Sequence, residues 1–272
     1  MTVETVQPSS PYQEKFLNSN AQIIIAGGAV GSSKSYTGLM RHLRWMDDPH
    51  YRGYCFRKNS VTLMSSGGLF EAAANMYRIV DPGLKVKEKK QQLVFSSGAI
   101  VSFKHYERDS DSEKIRGLEI SNGFYDEGTD AEEDHIWMII SRLRTTRAKV
   151  NPSLWITCNP SPATWLREWV DWWLYPQDHP KAGFPNPERN GTIRWMLRVD
   201  GTKYWGDTKE ELIDRYGKKH LSCDDPLQVK PLSVQVLLGT IHDNPILIER
   251  NPEYLARLES LPKVKRDRDL YG

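Results

Sequence analysis

Ile23-Ile24-Ile25-Ala26-Gly27-Gly28-Ala29-Val30-Gly31-Ser32-Ser33-Lys34-Ser35 is the stretch on which the fold turns. A β-prone apolar run stops at small residues, and a Lys-Ser pair opens an amphipathic segment. The pattern predicts strand, tight loop, helix. Glycine and serine let the backbone close around a phosphate with successive N–H groups aimed at its oxygens. The helix start adds the positive end of its dipole at the same point. Gly28, Ala29, Val30, Gly31, Ser32, Ser33, Lys34 and Ser35 fit G-x-x-x-x-G-K-[ST], except that Ser33 stands where the pattern has its second glycine. In this reading the loop cradles a nucleoside triphosphate. Lys34 reaches the outer phosphates and the Ser35 hydroxyl ligates magnesium. The competing reading is a glycine-rich turn with an exposed lysine, and the strand before it and helix after it favour the loop.

A second stretch supplies carboxylates. Leu118-Glu119-Ile120-Ser121-Asn122-Gly123-Phe124-Tyr125 reads as a partly apolar strand ending in Asp126-Glu127. Asp126 at the strand end is placed to hold magnesium, and Glu127 to orient and deprotonate an attacking water. Adjacent strand residues point to opposite faces, so the chain must leave the strand here for both to serve one site. Alone, an apolar run with an acidic pair is an ordinary strand-end turn; downstream of a P-loop it is a Walker B element.

The remaining pattern alternates strands and helices. Residues 12–16 form a short helix in which Gln13, with an amide that both donates and accepts, reads an adenine edge or is a solvated surface residue. A helix is expected over Ser35–Asp47 and a strand over Tyr51–Phe56, ending at Arg57-Lys58. A helix over Val61–Ile79 is interrupted by Gly67-Gly68. Leu84–Phe95 and Ala99–His105 read as a β-hairpin, with Lys85, Lys87, Lys89 and Lys90 protecting an edge strand or touching DNA. After Asp126-Glu127 come a helix over Ala131–Arg144, a short strand over Ser153–Pro160 that ends in polar residues and a proline, and a helix over Ala163–Trp173 whose aromatic face packs. Arg142 and Arg144 compensate the helix dipole or supply an arginine to a phosphate; two apart, they do not share a helix face. Asn159 senses the γ-phosphate or makes the turn before Pro160. Tyr175–Asn190 reads as a boundary loop. Beyond it lie a strand at Thr192–Val199, a helix at Lys209–Lys219, a strand at Val234–Leu238 and a helix at Pro252–Leu261. The order predicts an α/β fold with a doubly wound, mostly parallel sheet flanked by helices. Residues 1–175 are expected to form the core, 176–262 a small lid subdomain, and 263–272 the start of a linker.

Composition limits the function classes. A chain of 272 residues with 39% hydrophobic and 26% charged residues can bury a substantial core. A net charge of +2 excludes a highly basic nucleic-acid coat, so nucleic-acid contact has to come from local patches. Cys55, Cys158 and Cys223 have neither metal-type nor disulfide-framework spacing, which suits reduced cytoplasmic thiols. No apolar run is long enough to cross a bilayer.

Taken together, Gly27–Ser35, Phe124-Tyr125-Asp126-Glu127 and Thr157-Cys158-Asn159-Pro160 resemble the ATPase half of a tailed-bacteriophage terminase large subunit, a DNA-packaging motor. Thr157–Pro160 resembles the family's coupling motif, and Gln13 falls where its adenine-reading glutamine is expected. His242-Asp243-Asn244-Pro245 and the tail from Leu261-Pro262 to Tyr271-Gly272 resemble the run from lid to linker. Val30 stands where many terminases carry an arginine, so that charge must come from elsewhere.

The resemblance implies a magnesium-dependent ATPase using ATP and Mg2+ to drive sequence-independent translocation of double-stranded viral DNA. It also implies a homo-oligomeric ring on a capsid portal, a small terminase subunit as partner, and the infected host's cytoplasm as location. Arg142 or Arg144 would act on a neighbour's nucleotide, with Arg116 a further candidate. The family's RNase H-like nuclease domain has no counterpart before Gly272, so cleavage is not expected from this stretch. A helicase-like or repair ATPase, and a nucleotide-binding switch without turnover, remain alternatives.

Overall fold

The computed structural model describes residues 5–159, 164–220, 230–263 and 266. In chain order the main elements begin with α1 (Pro11–Asn18), β1 (Ile23–Gly28), α2 (Lys34–Arg41), β2 (Arg52–Arg57), α3 (Ser60–Met64) and α4 (Leu69–Val80). Next come β3 (Lys85–Lys87), β4 (Gln92–Val94), β5 (Ile100–His105), α5 (Ser112–Arg116), β6 (Asn122–Tyr125), α6 (Glu133–Ile140), β7 (Ser153–Thr157) and α7 (Trp165–Val170). The chain continues through β8 (Ile193–Val199), β9 (Thr202–Gly206), α8 (Lys209–His220), β10 (Leu232–Gly239), α9 (Pro245–Arg250) and α10 (Pro252–Glu259).

All ten strands form one sheet in the order β3-β4-β5-β2-β6-β7-β1-β10-β8-β9. From β5 to β10 the neighbours are parallel; the outer pairs on both flanks are antiparallel. β1 lies between β7 and β10 and is buried throughout. Its alternation feeds two cores: Ile24 and Ala26 join Phe124 and Trp155 on one face, while Ile23 and Ile25 join Tyr125 and Ile156 on the other. A strand covered on both faces reads as a continuous apolar run, which is why Ile23–Ile25 carries no polar alternation. The expected α/β class and mostly parallel sheet are present. Among the described residues no helix is long and apolar enough to cross a membrane.

Several boundaries differ from expectation. The helix after the P-loop tightens into a 3-10 turn at His42–Trp45 instead of running on to Asp47. The helix expected over Val61–Ile79 is two helices, with Gly67 at φ 73° between them. The first hairpin arm is itself folded, so that β3 forms the sheet edge and presents exposed Lys85 and Lys87. The break expected at 175/176 does not divide the sheet: β10 pairs with β1 in register from Ile23↔Val234 to Gly28↔Gly239, and β8 and β9 extend the same sheet. Val234–Leu238 is a doubly covered central strand rather than a subdomain strand. Most of the tail from 263 to 272 lies outside the described residues.

The tryptophans of α7 pack, as expected, and one carboxylate ties an α7 indole to an α6 indole. Glu133 Oε1, at the start of α6, accepts from Trp137 Nε1 at 3.0 Å, Trp169 Nε1 at 3.0 Å and Lys203 Nζ on β9 at 2.8 Å. Burial raises the Glu133 carboxyl, but the hydrogen bonds from Lys203, Trp137 and Trp169 outweigh it, and the net shift is downward. The Lys203 ammonium is correspondingly raised, against its own burial, by Glu133 and Glu168. Glu133→Ala orphans two indole donors and half-orphans a lysine, and is expected to cost about 3 kcal/mol. For a domain of this size that is a melting temperature lower by roughly 6–12 °C. A depressed carboxyl stabilises the fold above its unfolded value and ceases to do so as pH falls through the folded value. The gap between thermal scans of wild type and Glu133→Ala should therefore narrow as pH falls below the usual glutamate range. An equal gap at neutral and acid pH would contradict the charge assignment.

Candidate nucleotide-binding site

The loop of β1–α2 opens at the carboxyl ends of the parallel strands, where open α/β sheets place their ligands. Gly28 closes the strand at φ 121°, with a hypothetical Cβ only 1.9 Å from the Gly239 carbonyl oxygen. No side chain fits between β1 and β10 there, and the Ala29 N–H donates to that same oxygen at 2.9 Å. Ser33, in the position of the pattern's second glycine, holds the left-handed conformation that glycine would supply, at φ 61°. Its hydroxyl donates to the Ser32 carbonyl at 2.6 Å and accepts from Gln13 Nε2 at 2.8 Å.

Lys34 is buried, with Nζ donating to Gly28 O at 3.0 Å, Ala29 O at 2.6 Å and Ser32 Oγ at 3.1 Å. Burial brings its ammonium down to about 8, opposed by Cys158 and Asp126. Ser35 Oγ donates to Asp126 Oδ1 at 2.7 Å, and Thr157 Oγ1 donates to the same oxygen at 2.5 Å. The residues expected to organise a metal, 91 positions apart, thus meet directly. Glu127 leaves the strand at φ 58°, and this left-handed step breaks the alternation that would send neighbouring carboxylates to opposite faces. Its backbone N–H donates to Thr157 Oγ1 at 3.3 Å. The Glu127 carboxyl is raised, chiefly by burial; Arg57 pulls it down while Asp126 and Asp130 push it up.

Arg57 was not singled out by its sequence context. It ends β2, the neighbour of β6, and its Nη2 lies 3.0 Å from Asp126 Oδ2 and 2.7 Å from Glu127 Oε1. One guanidinium nitrogen bridges both carboxylates. The cleft between loop and carboxylates has a volume of about 230 Å³, and Val30, Tyr36 and Asn159 also line it. Asn159 is held through its carbonyl by Thr129 Oγ1 at 2.9 Å, and Pro160 lies outside the described residues.

Gln13 is no solvated surface residue. It is buried, and its Oε1 accepts from the Ser9 N–H at 2.5 Å and hydroxyl at 3.0 Å, so its amide ties the N-terminal segment to the loop. Arg142 and Arg144 sit elsewhere. Leu143 bridges Ile120 at the opposite end of β6, and Arg142 Nη1 donates to the Arg116 carbonyl at 3.0 Å. Six residues of strand rise put them about 20 Å from Asp126. From the C-terminal side, Asn244 Nδ2 donates to the Gly31 carbonyl at 2.6 Å, and Leu247 and Tyr254 close on Gly31.

Residues 25–260 match the family model described as terminase large subunit, T4likevirus-type, N-terminal. The chain belongs to this terminase family. The terminase chain is similar in fold to the large terminase of a thermophilic bacteriophage, at 18% identity and a TM-score of 0.60 over 98% of this chain and 53% of that one. A second structure of that thermophilic-phage terminase, described as in complex with ADP, matches at 18% identity and a TM-score of 0.57, covering 97% of this chain and 53% of that one. The Thermus phage P74-26 large terminase ATPase domain matches at 12% identity and a TM-score of 0.55, over 98% of this chain and 92% of that one. This terminase chain spans about half the length of the thermophilic-phage protein. No curated protein matches the sequence.

Proposed function

We propose that this chain hydrolyses ATP with magnesium and thereby drives double-stranded viral DNA into a procapsid. The observation that carries the reading is the Ser35–Asp126 contact in a cleft that Lys34 and Glu127 also line. Membership of the terminase family and the ADP complex described for the thermophilic-phage fold relative support it.

ATP is the substrate. Its phosphates lie along the loop 28–35, where backbone N–H groups and the dipole of α2 favour negative charge. Lys34 exchanges its carbonyl partners for phosphate oxygens. The hydroxyls of Ser35 and Thr157 and the carboxylate of Asp126 form an oxygen-only donor set, which suits magnesium. Bound there, magnesium would neutralise phosphate charge as it develops. Glu127 orients a water for in-line attack and accepts its proton. Arg57 holds Glu127 and Asp126 in register. The work is mostly positioning and charge neutralisation.

Arg142 and Arg144 are too far from their own cleft to touch its nucleotide and are assigned to a neighbour's. That assignment requires the homo-oligomeric ring. Asn159 answers to the γ-phosphate, and the Asn244–Gly31 contact links the loop to α9 and α10, which serve as the lid. A small terminase subunit, a procapsid portal and the infected host's cytoplasm complete the assignment.

Duplex binding through phosphates alone is expected to be indifferent to sequence. With 6–10 phosphates engaged, affinity should fall roughly 10³–10⁵-fold between about 50 and 200 mM salt. Fluorescence anisotropy on two unrelated duplexes tests this; equal affinity across that salt range would contradict it. Separation of a forked duplex by the chain with ATP would favour the helicase-like alternative.

A further inference from the structure

Tyr36 follows the metal-side Ser35 and lines the same cleft, yet it has no part in the phosphate chemistry above. Among the described residues lining that cleft it is the single aromatic ring. It is also 43% exposed, whereas most large aromatic side chains here are buried. An exposed ring in the first turn of α2 contributes little to the core and calls for a ligand-side explanation.

Size provides one. The cleft's volume of about 230 Å³ is below the roughly 300 Å³ or more typical of pockets that engulf a small organic ligand. It has room for phosphates and leaves the nucleoside outside the enclosed space. The γ-phosphate end is fixed by Asp126 and Glu127, so the nucleoside leaves across the rim formed by the start of α2. There Gln13 has its amide occupied by Ser9 and Ser33, which leaves a ring face, not a free amide, to meet the base.

We propose that Tyr36 is the platform on which the base of the bound nucleotide stacks, so that base area and not base identity is what this rim reads. The inference rests on the nucleotide-site reading of the cleft and deepens it. A π-face accepts any base, so ATP and GTP should bind comparably.

Equilibrium binding by calorimetry, with magnesium present, tests this on wild type, Tyr36→Ala and Tyr36→Phe. The probes are ATP, GTP and inorganic tripolyphosphate. Tyr36→Ala is expected to bind both nucleotides roughly five- to hundredfold more weakly and tripolyphosphate as wild type does, with Tyr36→Phe restoring nucleotide affinity. Unchanged ATP affinity in Tyr36→Ala, or an equal loss for tripolyphosphate, would overturn the platform while leaving the phosphate site standing. A wild-type chain that binds neither ATP nor tripolyphosphate would overturn both.

Discussion

Glu127→Gln should still bind ATP and should lose steady-state hydrolysis by roughly 10²–10⁴-fold. The amide keeps the size of the carboxylate and can still accept from Arg57, so the loop and its lysine are undisturbed. What it cannot do is take a proton from water. The Glu127 carboxylate is held by Arg57, whereas the proposed phosphate and metal contacts fall to Lys34 and Ser35. Parallel measurements of phosphate release and nucleotide affinity separate the two effects. Turnover within about threefold of wild type would reassign the base, since removing a positioned general base costs far more.

Arg57→Ala carries the second large effect. Asp126 is fully buried, and its Oδ2 has Arg57 as its ion-pair partner at 3.0 Å. Removing one member of a buried pair costs about 3–5 kcal/mol. Asp126 keeps Ser35 and Thr157, and the Glu127 side chain is 48% exposed and contributes less. The lower end is expected, about 3 kcal/mol, or a melting temperature down by roughly 6–12 °C.

Activity should change in a way a purely structural role would not produce. The Glu127 carboxyl is raised by burial and pulled back by Arg57. Without the guanidinium it rises further, and a base must be ionised to act. The acid limb of the turnover profile therefore moves to higher pH in Arg57→Ala. Magnesium-ATP should restore more stability to the variant than to wild type, because a cation again faces Asp126. An unchanged melting temperature together with an unshifted acid limb would remove Arg57 from the site.

Arg57 also marks where the sequence stopped being informative. The P-loop and Asp126-Glu127 were legible because each is a local chemical pattern. The Ser35–Asp126 contact followed from reading them as one motor. Arg57 acquires its partners only through strand order: β2 and β6 are neighbours, and 70 residues of chain separate Arg57 from Glu127. No spacing rule reports that adjacency.

The fold was legible in the same uneven way. The central strands announced themselves as apolar runs, but the membership of β10 in the main sheet was hidden behind the Pro- and Gly-rich loop Tyr175–Asn190. β9 was missed although its signal was present. Asp200 at φ 48° and Gly201 at φ 83° form the tight hairpin turn that Asp-Gly favours. α9 likewise had its start written in Asn244-Pro245, where the Asn244 side chain caps the Leu247 N–H. Gln13 was caught between two readings, and burial against Ser33 and Ser9 fits neither a solvated residue nor a free base reader.

The most direct test of the central claim is phosphate release from magnesium-ATP, measured across a range of protein concentrations with linear duplex DNA, for wild type and Lys34→Ala. A hydrolytic site completed by a neighbour's arginine predicts turnover per chain that climbs with concentration and vanishes in Lys34→Ala. ATP bound at every concentration with no phosphate released at any would contradict it and leave a nucleotide-binding switch.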